Sequence, residues 1–139
     1  GIYSDADVAI IGVGERPYAE FMGDIGNESN EMKLTLTETH QQYIDVYSET
    51  VPTIIVILVS GRPMVVTDQI NESDAFLAAW LPGSEGEGIA EVLFGDYNFK
   101  GKLPHSWPAS LNQFEGKYGP NFWDKSQTPL YPFGYGLSY

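Results

Sequence analysis

Val8-Ala9-Ile10-Ile11-Gly12-Val13 is a short apolar run, and Gly14-Glu15-Arg16-Pro17-Tyr18-Ala19-Glu20-Phe21-Met22-Gly23-Asp24 follows it without a break. The first string reads as a strand of an open α/β sheet. Such sheets bind ligands in the crevice outside the carboxyl ends of their strands, where loops are freed from pairing. Gly12 and Gly14 would let the backbone turn sharply at that edge, and Pro17 stiffens the loop beyond it. A carboxyl group held there beside Tyr18 and Phe21 would be partly desolvated, which raises its pKa and suits it to donate a proton near neutral pH. Glu20 is the candidate acid. On spacing alone, Glu15, Glu20 and Asp24 read first as ordinary loop acids of an acidic chain.

The rest of the chain alternates helix and strand. Thr35-Leu36-Thr37-Glu38 has the Thr-x-x-Glu form of a capping box, and Leu36, His40, Tyr43, Ile44 and Tyr47 follow at one-face helical spacing. A helix from about Leu36 to Glu49, ended by Pro52, is expected to lie on the sheet. Thr53-Ile54-Ile55-Val56-Ile57-Leu58-Val59 is a continuous β-branched run, the pattern of a central parallel strand buried on both faces. A right-handed crossover should join it to the Val8 strand. Gly61-Arg62-Pro63 then turns the chain at the same edge as Glu20, with Arg62 read as one side of a structural salt bridge. Met64-Val65-Val66 reads as a short strand, Asp68 to Asp74 as helical or looped, and Ala75-Phe76-Leu77-Ala78-Ala79-Trp80 as a third buried strand.

Leu81-Pro82-Gly83 leads into Ser84-Glu85-Gly86-Glu87, a second capping box. Ile89, Val92 and Leu93 would give the next helix its buried stripe, and Gly95 would stop it. Gly86 and Gly88 lack the third glycine of a dinucleotide loop and are better explained by close packing of this helix on the sheet. From Asp96 onward the pattern dissolves into a long irregular tail of Gly, Pro and aromatic residues: Tyr97, Phe99, Trp107, Phe114, Tyr118, Phe122, Trp123, Tyr131, Phe133, Tyr135 and Tyr139. Aromatic faces stack on the apolar surfaces of pyranose rings, so such a tail can line a sugar subsite. Wrapping of the tail onto the core is the commoner use of large aromatics.

Composition narrows the function classes. The 139 residues are 42% hydrophobic, enough for one domain with a sizeable core. Nineteen acidic against seven basic side chains give a net charge of −12, which repels phosphate backbones and argues against nucleic acid as a partner. No apolar run approaches the roughly 20 residues of a membrane span, and Gly-Ile-Tyr-Ser is not the start of a signal peptide. Without cysteine there is neither disulfide nor thiolate chemistry. His40 and His105 stand apart with no carboxylate at ligand spacing, so neither a metal site nor a cofactor is expected. Asn27-Glu28-Ser29 and Asn71-Glu72-Ser73 are sequons available to a glycan in a eukaryotic secretory pathway.

Taken in order, GERPYAEFMGD, LVSGRPMVV, AAWLPGSEGEGIAEVLFGDYNFKGKLP and PLYPFGYGLSY resemble the second domain of family 3 glycoside hydrolases, nearly end to end. The resemblance implies an α/β three-layer sandwich with a mostly parallel sheet and helices on both faces. The family's second domain begins with a further strand and helix, so residues 1–139 are expected to form one partial domain, truncated at its N-terminal side. The family consists of retaining, exo-acting β-glycosidases whose nucleophile is an aspartate on a barrel domain. In the β-glucosidase and β-glucan exohydrolase branch the acid/base glutamate stands at the position matching Glu20, with Glu15 as runner-up in the same motif. Tyr18 and Arg62 are the accompanying candidates for substrate contact.

Retention requires two carboxyl groups about 5 Å apart, one attacking and one alternating between acid and base. A barrel of about 250 residues has no room here, so the isolated chain is expected to be inactive. The implied partners are β-linked glucosides or oligosaccharides and the barrel of the same enzyme, in a secreted or periplasmic parent. Self-association through the truncated sheet edge is also expected. Two other readings stay open at this level: a non-catalytic carbohydrate-binding or structural module, and a nucleotide-binding Rossmann-like domain.

Overall fold

In the computed structural model the described residues are 5–24, 33–114 and 127–139, the side chains of Phe21 and Phe114 excepted. They form a small α/β domain built on a three-stranded parallel sheet. The strands are β1 (Ala9–Gly14), β2 (Ile54–Val59) and β3 (Ala75–Trp80), side by side in the order β1-β2-β3. Ile11 pairs with Val56 and Gly14 with Val59, while Ile57 pairs with Leu77 and Val59 with Trp80. Because all three run the same way, their carboxyl ends share one edge.

The apolar runs become strands because their β-branched side chains pack on a pleated surface. Ile11 and Val13 of β1 and Ile54, Val56 and Leu58 of β2 fall on one parity and are buried, joined in the core by Ile44, Val51, Met64, Val66 and Trp107. The other parity is different. Ile10 is 52% exposed and Ile55, Ile57 and Val59 are only half-buried. The continuous β-branched run of β2 therefore reads more buried than it is, since the second face of the sheet is incompletely covered by the described residues.

Helix α1 (Glu38–Ser48) supplies Ile44 to the core and starts two residues later than the spacing suggests. Its cap is Thr37, in an extended conformation with its hydroxyl accepting from the His40 amide at 3.3 Å. Thr35, the expected cap, is bridged instead to Val65, and a residue held in a ladder cannot also cap a helix. That bridge is all the strand structure found in Met64–Val66. Helix α2 (Thr67–Asn71) fills the helical-or-looped stretch, and Gln41 of α1 donates to Glu72 beyond it at 2.7 Å. The Asp74 carboxylate accepts from the Ile54 amide at 2.8 Å, fixing the start of β2 beside the start of β3.

Helix α3 (Glu87–Leu93) departs from expectation in two ways. Ser84 bonds the Glu85 side chain rather than capping the helix, and Gly86 stands at the N-cap without a side-chain bond. Nor is the stripe buried: Ile89, Val92 and Leu93 stay half-exposed. A Cβ added at Gly86 or Gly88 would meet nothing within 4 Å, so close packing does not account for these glycines. Gly95 does end the helix, at φ +81°, the left-handed geometry that glycine adopts without steric cost.

The tail is pinned rather than loose. Trp107 pairs with Tyr131 across an antiparallel bridge, and its indole N–H donates to the buried Met64 carbonyl at 2.8 Å. Gln113 accepts from the Ala109 amide and donates to the Thr128 carbonyl. Trp107 is thus a core residue, as the packing reading of the tail requires, whereas Phe133 and Tyr139 are exposed. Tyr118, Phe122 and Trp123 lie outside the described residues, as does the sequon at Asn27. Asn71 of the second sequon is exposed at the end of α2.

Candidate active site at the strand tips

Each strand hands its chain to the site at the shared edge. Beyond β1, Glu15 to Ala19 form a loop whose Glu15 amide donates to the Val59 carbonyl at 3.3 Å, and the chain then enters a 3-10 turn at Glu20–Gly23. Beyond β2, Ser60-Gly61-Arg62 turns with the Ser60 hydroxyl donating to the Arg62 carbonyl at 2.8 Å. Beyond β3, Trp80 carries a left-handed backbone, φ +53°, and its carbonyl accepts from the Ser60 amide at 3.1 Å. Ligand crevices of α/β sheets form at such edges.

The glycines of β1 do not turn the chain as expected, since both lie within the strand. Gly14 is required for another reason. A Cβ there would stand 2.1 Å from the Val59 carbonyl oxygen, so only hydrogen fits between the two strands at their tips. The left-handed residue of the loop is Glu20, φ +50°. For a side chain with a Cβ this is an uncommon conformation, held only where its surroundings enforce it.

The two glutamates have opposite environments. Glu20 is exposed at the rim. Glu15 is buried, its side chain 5% exposed, and its carboxylate accepts from Arg62 Nε at 3.0 Å. The same guanidinium donates through Nη1 to the Gly23 carbonyl and lies over the Tyr18 ring, 4.5 Å from its centroid. Tyr18 is wedged tightly: a Cβ at Gly23 would come within 2.4 Å of its ring, and one at Gly61 within 3.1 Å of its hydroxyl. Burial pushes the Tyr18 phenol above its ordinary 10.0, opposed by the Arg62 charge and reinforced by the nearby Glu15 carboxylate. Glu15 Oε1 and Arg62 Nη2 are buried without a hydrogen-bond partner.

Of the residues read from the sequence as site candidates, the structure therefore brings Glu15, Tyr18 and Arg62 into one cluster and sets Glu20 beside it, facing solvent. Arg62 finds its salt-bridge partner in Glu15, 47 positions away. What sequence reasoning missed is that Gly23 closes the cluster. The turn Met22-Gly23 offered a signal only in the small size of glycine, which leaves room for the tyrosine ring.

Elsewhere, Trp80 stands 5.8 Å from Trp107 and 5.9 Å from His105, centroid to centroid, and Tyr131 stacks on Tyr135 at 4.3 Å. Trp80, Trp107, Tyr131 and Tyr135 border a largely apolar cleft of about 400 Å³ between β3, α3 and the tail. His40 sits in the first turn of α1 and His105 is exposed. Among the described residues no three His, Cys, Asp or Glu side chains gather as a metal site, and no helix is long and apolar enough to cross a membrane.

The domain is thus a parallel α/β sheet whose strand tips carry the enclosed Glu15–Arg62 pair and the exposed Glu20 at one edge. The whole chain, residues 1–139, matches the glycosyl hydrolase family 3 C-terminal domain, and it belongs to that family. It is 35% identical to a periplasmic beta-glucosidase of Salmonella typhimurium, over 96% of this chain and 19% of that protein. It is 37% identical to a lysosomal beta glucosidase of Dictyostelium discoideum, over 96% of this chain and 16% of that one. Among solved structures, a variant of the exo-1,3/1,4-beta-glucanase of a Pseudoalteromonas species superposes with a TM-score of 0.74 at 39% identity, covering 99% of this chain and 22% of that chain. The beta-glucosidase of Listeria innocua in complex with glucose gives 0.75 at 29% identity, with 99% and 21% covered. The chain thus spans between 16% and 22% of the length of these relatives.

Proposed function

We propose that this chain is the acid/base-bearing domain of a retaining, exo-acting β-glycosidase of the β-glucosidase type, with Glu20 as the proton donor. The observation that carries this reading is the division of labour between the two loop glutamates. Glu15 is enclosed and committed to Arg62, whereas Glu20 is the free carboxyl at the rim. A donor has to reach a substrate oxygen, and only an accessible group does so.

In the reaction this implies, a carboxylate outside this chain attacks the anomeric carbon as Glu20 gives its proton to the departing glycosidic oxygen. Glu20, then ionised, takes a proton from the water that cleaves the glycosyl-enzyme, and both carboxyls return to their starting states. The two groups must stand about 5 Å apart, so the rim has to meet a second domain face to face. The small share of its relatives' length that this chain covers is consistent with a partner domain supplying the nucleophile. The exposed Ile10 and half-covered Ile55, Ile57 and Val59 support a complete domain that is a three-layer sandwich with a further layer over this face. The chain alone, lacking the nucleophile, leaves a glycoside intact.

The test is Glu20→Gln in a full-length enzyme containing this domain. kcat/KM should fall about 10²- to 10⁴-fold on an alkyl β-glucoside, the range that general acid catalysis supplies, and little on a 2,4-dinitrophenyl β-glucoside, whose leaving group needs no proton. Azide should restore turnover of the dinitrophenyl substrate by replacing the water that Glu20 activates. Unchanged kinetics would remove the assignment. The aromatic cleft supports a second reading, a carbohydrate-binding module, which isothermal titration of the isolated chain with glucose and cello-oligosaccharides would favour by showing binding without any barrel.

A further inference from the structure

Arg62 is placed where it touches both ends of the loop that bears Glu20. Its Nε holds Glu15 at the loop's start and its Nη1 holds the Gly23 carbonyl at the end of the 3-10 turn. Its face covers Tyr18 in between, and Tyr18 in turn presses on Gly23 and Gly61. Glu20 lies on the stretch of chain between these contacts and has a left-handed backbone, a conformation that costs free energy and persists only when neighbours impose it. The ring supplies that constraint. A guanidinium suits the task because it is planar and presents several donors in fixed directions, with a face left for an aromatic ring.

We propose that Arg62 and Glu15 are positioning residues for the acid/base, a clamp spanning the β1 and β2 tips that holds Glu20 at the angle from which it protonates the leaving oxygen. The inference rests on the reading of Glu20 as that acid. It assigns Glu15 a role other than proton transfer, and Arg62 one other than sugar contact. A displacement of about 1 Å in a reacting group can cost on the order of 10²-fold in rate, so loosening the ring should be visible in catalysis.

The experiment uses a full-length enzyme containing this domain and compares Arg62→Met, Arg62→Lys, the double variant Arg62→Met/Glu15→Gln, Glu20→Gln and Arg62→Met/Glu20→Gln. Each is assayed for kcat/KM on an alkyl and on a 2,4-dinitrophenyl β-glucoside. Arg62→Met should lose about 10²-fold on the alkyl substrate but less than about 3-fold on the dinitrophenyl one. Arg62→Lys should fall between, because one ammonium cannot span both loop ends. Arg62→Met added to Glu20→Gln should cost nothing further on the alkyl substrate, since a clamp without its acid has nothing to position.

Should the single variant fail to fold because it strands a buried carboxylate, the double variant carries the same comparison with both charges removed. Equal losses on the two substrates in whichever variant folds would overturn the clamp, since reduced stability or a lost sugar contact acts on both alike. A normal Arg62 variant beside an impaired Glu20→Gln overturns the clamp alone, whereas an unimpaired Glu20→Gln overturns the acid/base reading beneath it.

Discussion

Two glutamates five positions apart on one loop have opposite surroundings. Glu15 is enclosed, its carboxylate held by Arg62 Nε at 3.0 Å, whereas Glu20 is exposed at the rim. Tyr18 makes the cluster sensitive at the alkaline end. Its folded-state pKa lies above the ordinary 10.0, as does that of Tyr131, where burial leads and Tyr135 adds repulsion. A folded state that holds the proton more tightly than the unfolded chain gains stability that is fully present below about pH 10 and lost as pH rises through the raised pKa values. Thermal midpoints of the domain should accordingly drop as pH rises above the ordinary tyrosine value of 10.0, and Tyr18→Phe and Tyr131→Phe should each flatten that drop.

Elements matter here for how closely they bring their tips. β1 and β2 approach until Gly14 has no room for a methyl group, 2.1 Å from the Val59 oxygen being far inside contact distance. Gly14→Ala must push the strand tips apart and should cost about 1–3 kcal/mol, measured by urea unfolding. The strands themselves were legible: Ala75–Trp80 is where the apolar run placed it, and β1 and β2 differ from their sequence limits by a residue. Caps were less so. Thr37 rather than Thr35 begins α1 because Thr35 is drawn into a bridge with Val65, a pairing between residues thirty positions apart that no local pattern announces. The stripe of α3 was read correctly as apolar and wrongly as buried, since burial depends on what lies opposite.

The molecule as a whole is a sheet with one well-packed face and a tail tied down at Trp107. Its indole meets the Met64 carbonyl and the Trp80 ring and its backbone pairs with Tyr131, so the tail is a structural part of the domain. Trp107→Phe leaves the buried Met64 carbonyl without its donor and should destabilise the domain by about 1–3 kcal/mol in chemical denaturation. The net charge of −12 repels polyanions. The architecture is that of the family 3 C-terminal domain, and the chain covers 19% of the length of the Salmonella relative and 22% of the Pseudoalteromonas structure.

By itself the sequence determined the alternation of helix and strand, the family, and the loop that holds the candidate acid. These follow from periodicity and from an ordered string of motifs, both of which are local in the chain. Only the tertiary structure decided that Glu15 is spent on Arg62, that Tyr18 lies beneath the guanidinium, and that Glu20 is left free with a left-handed backbone. The reason is physical: burial and ion pairing belong to groups that meet across the sheet edge, and the parallel register of β1 and β2 brings residues 15 and 62 together, although nearly fifty positions of chain run between them.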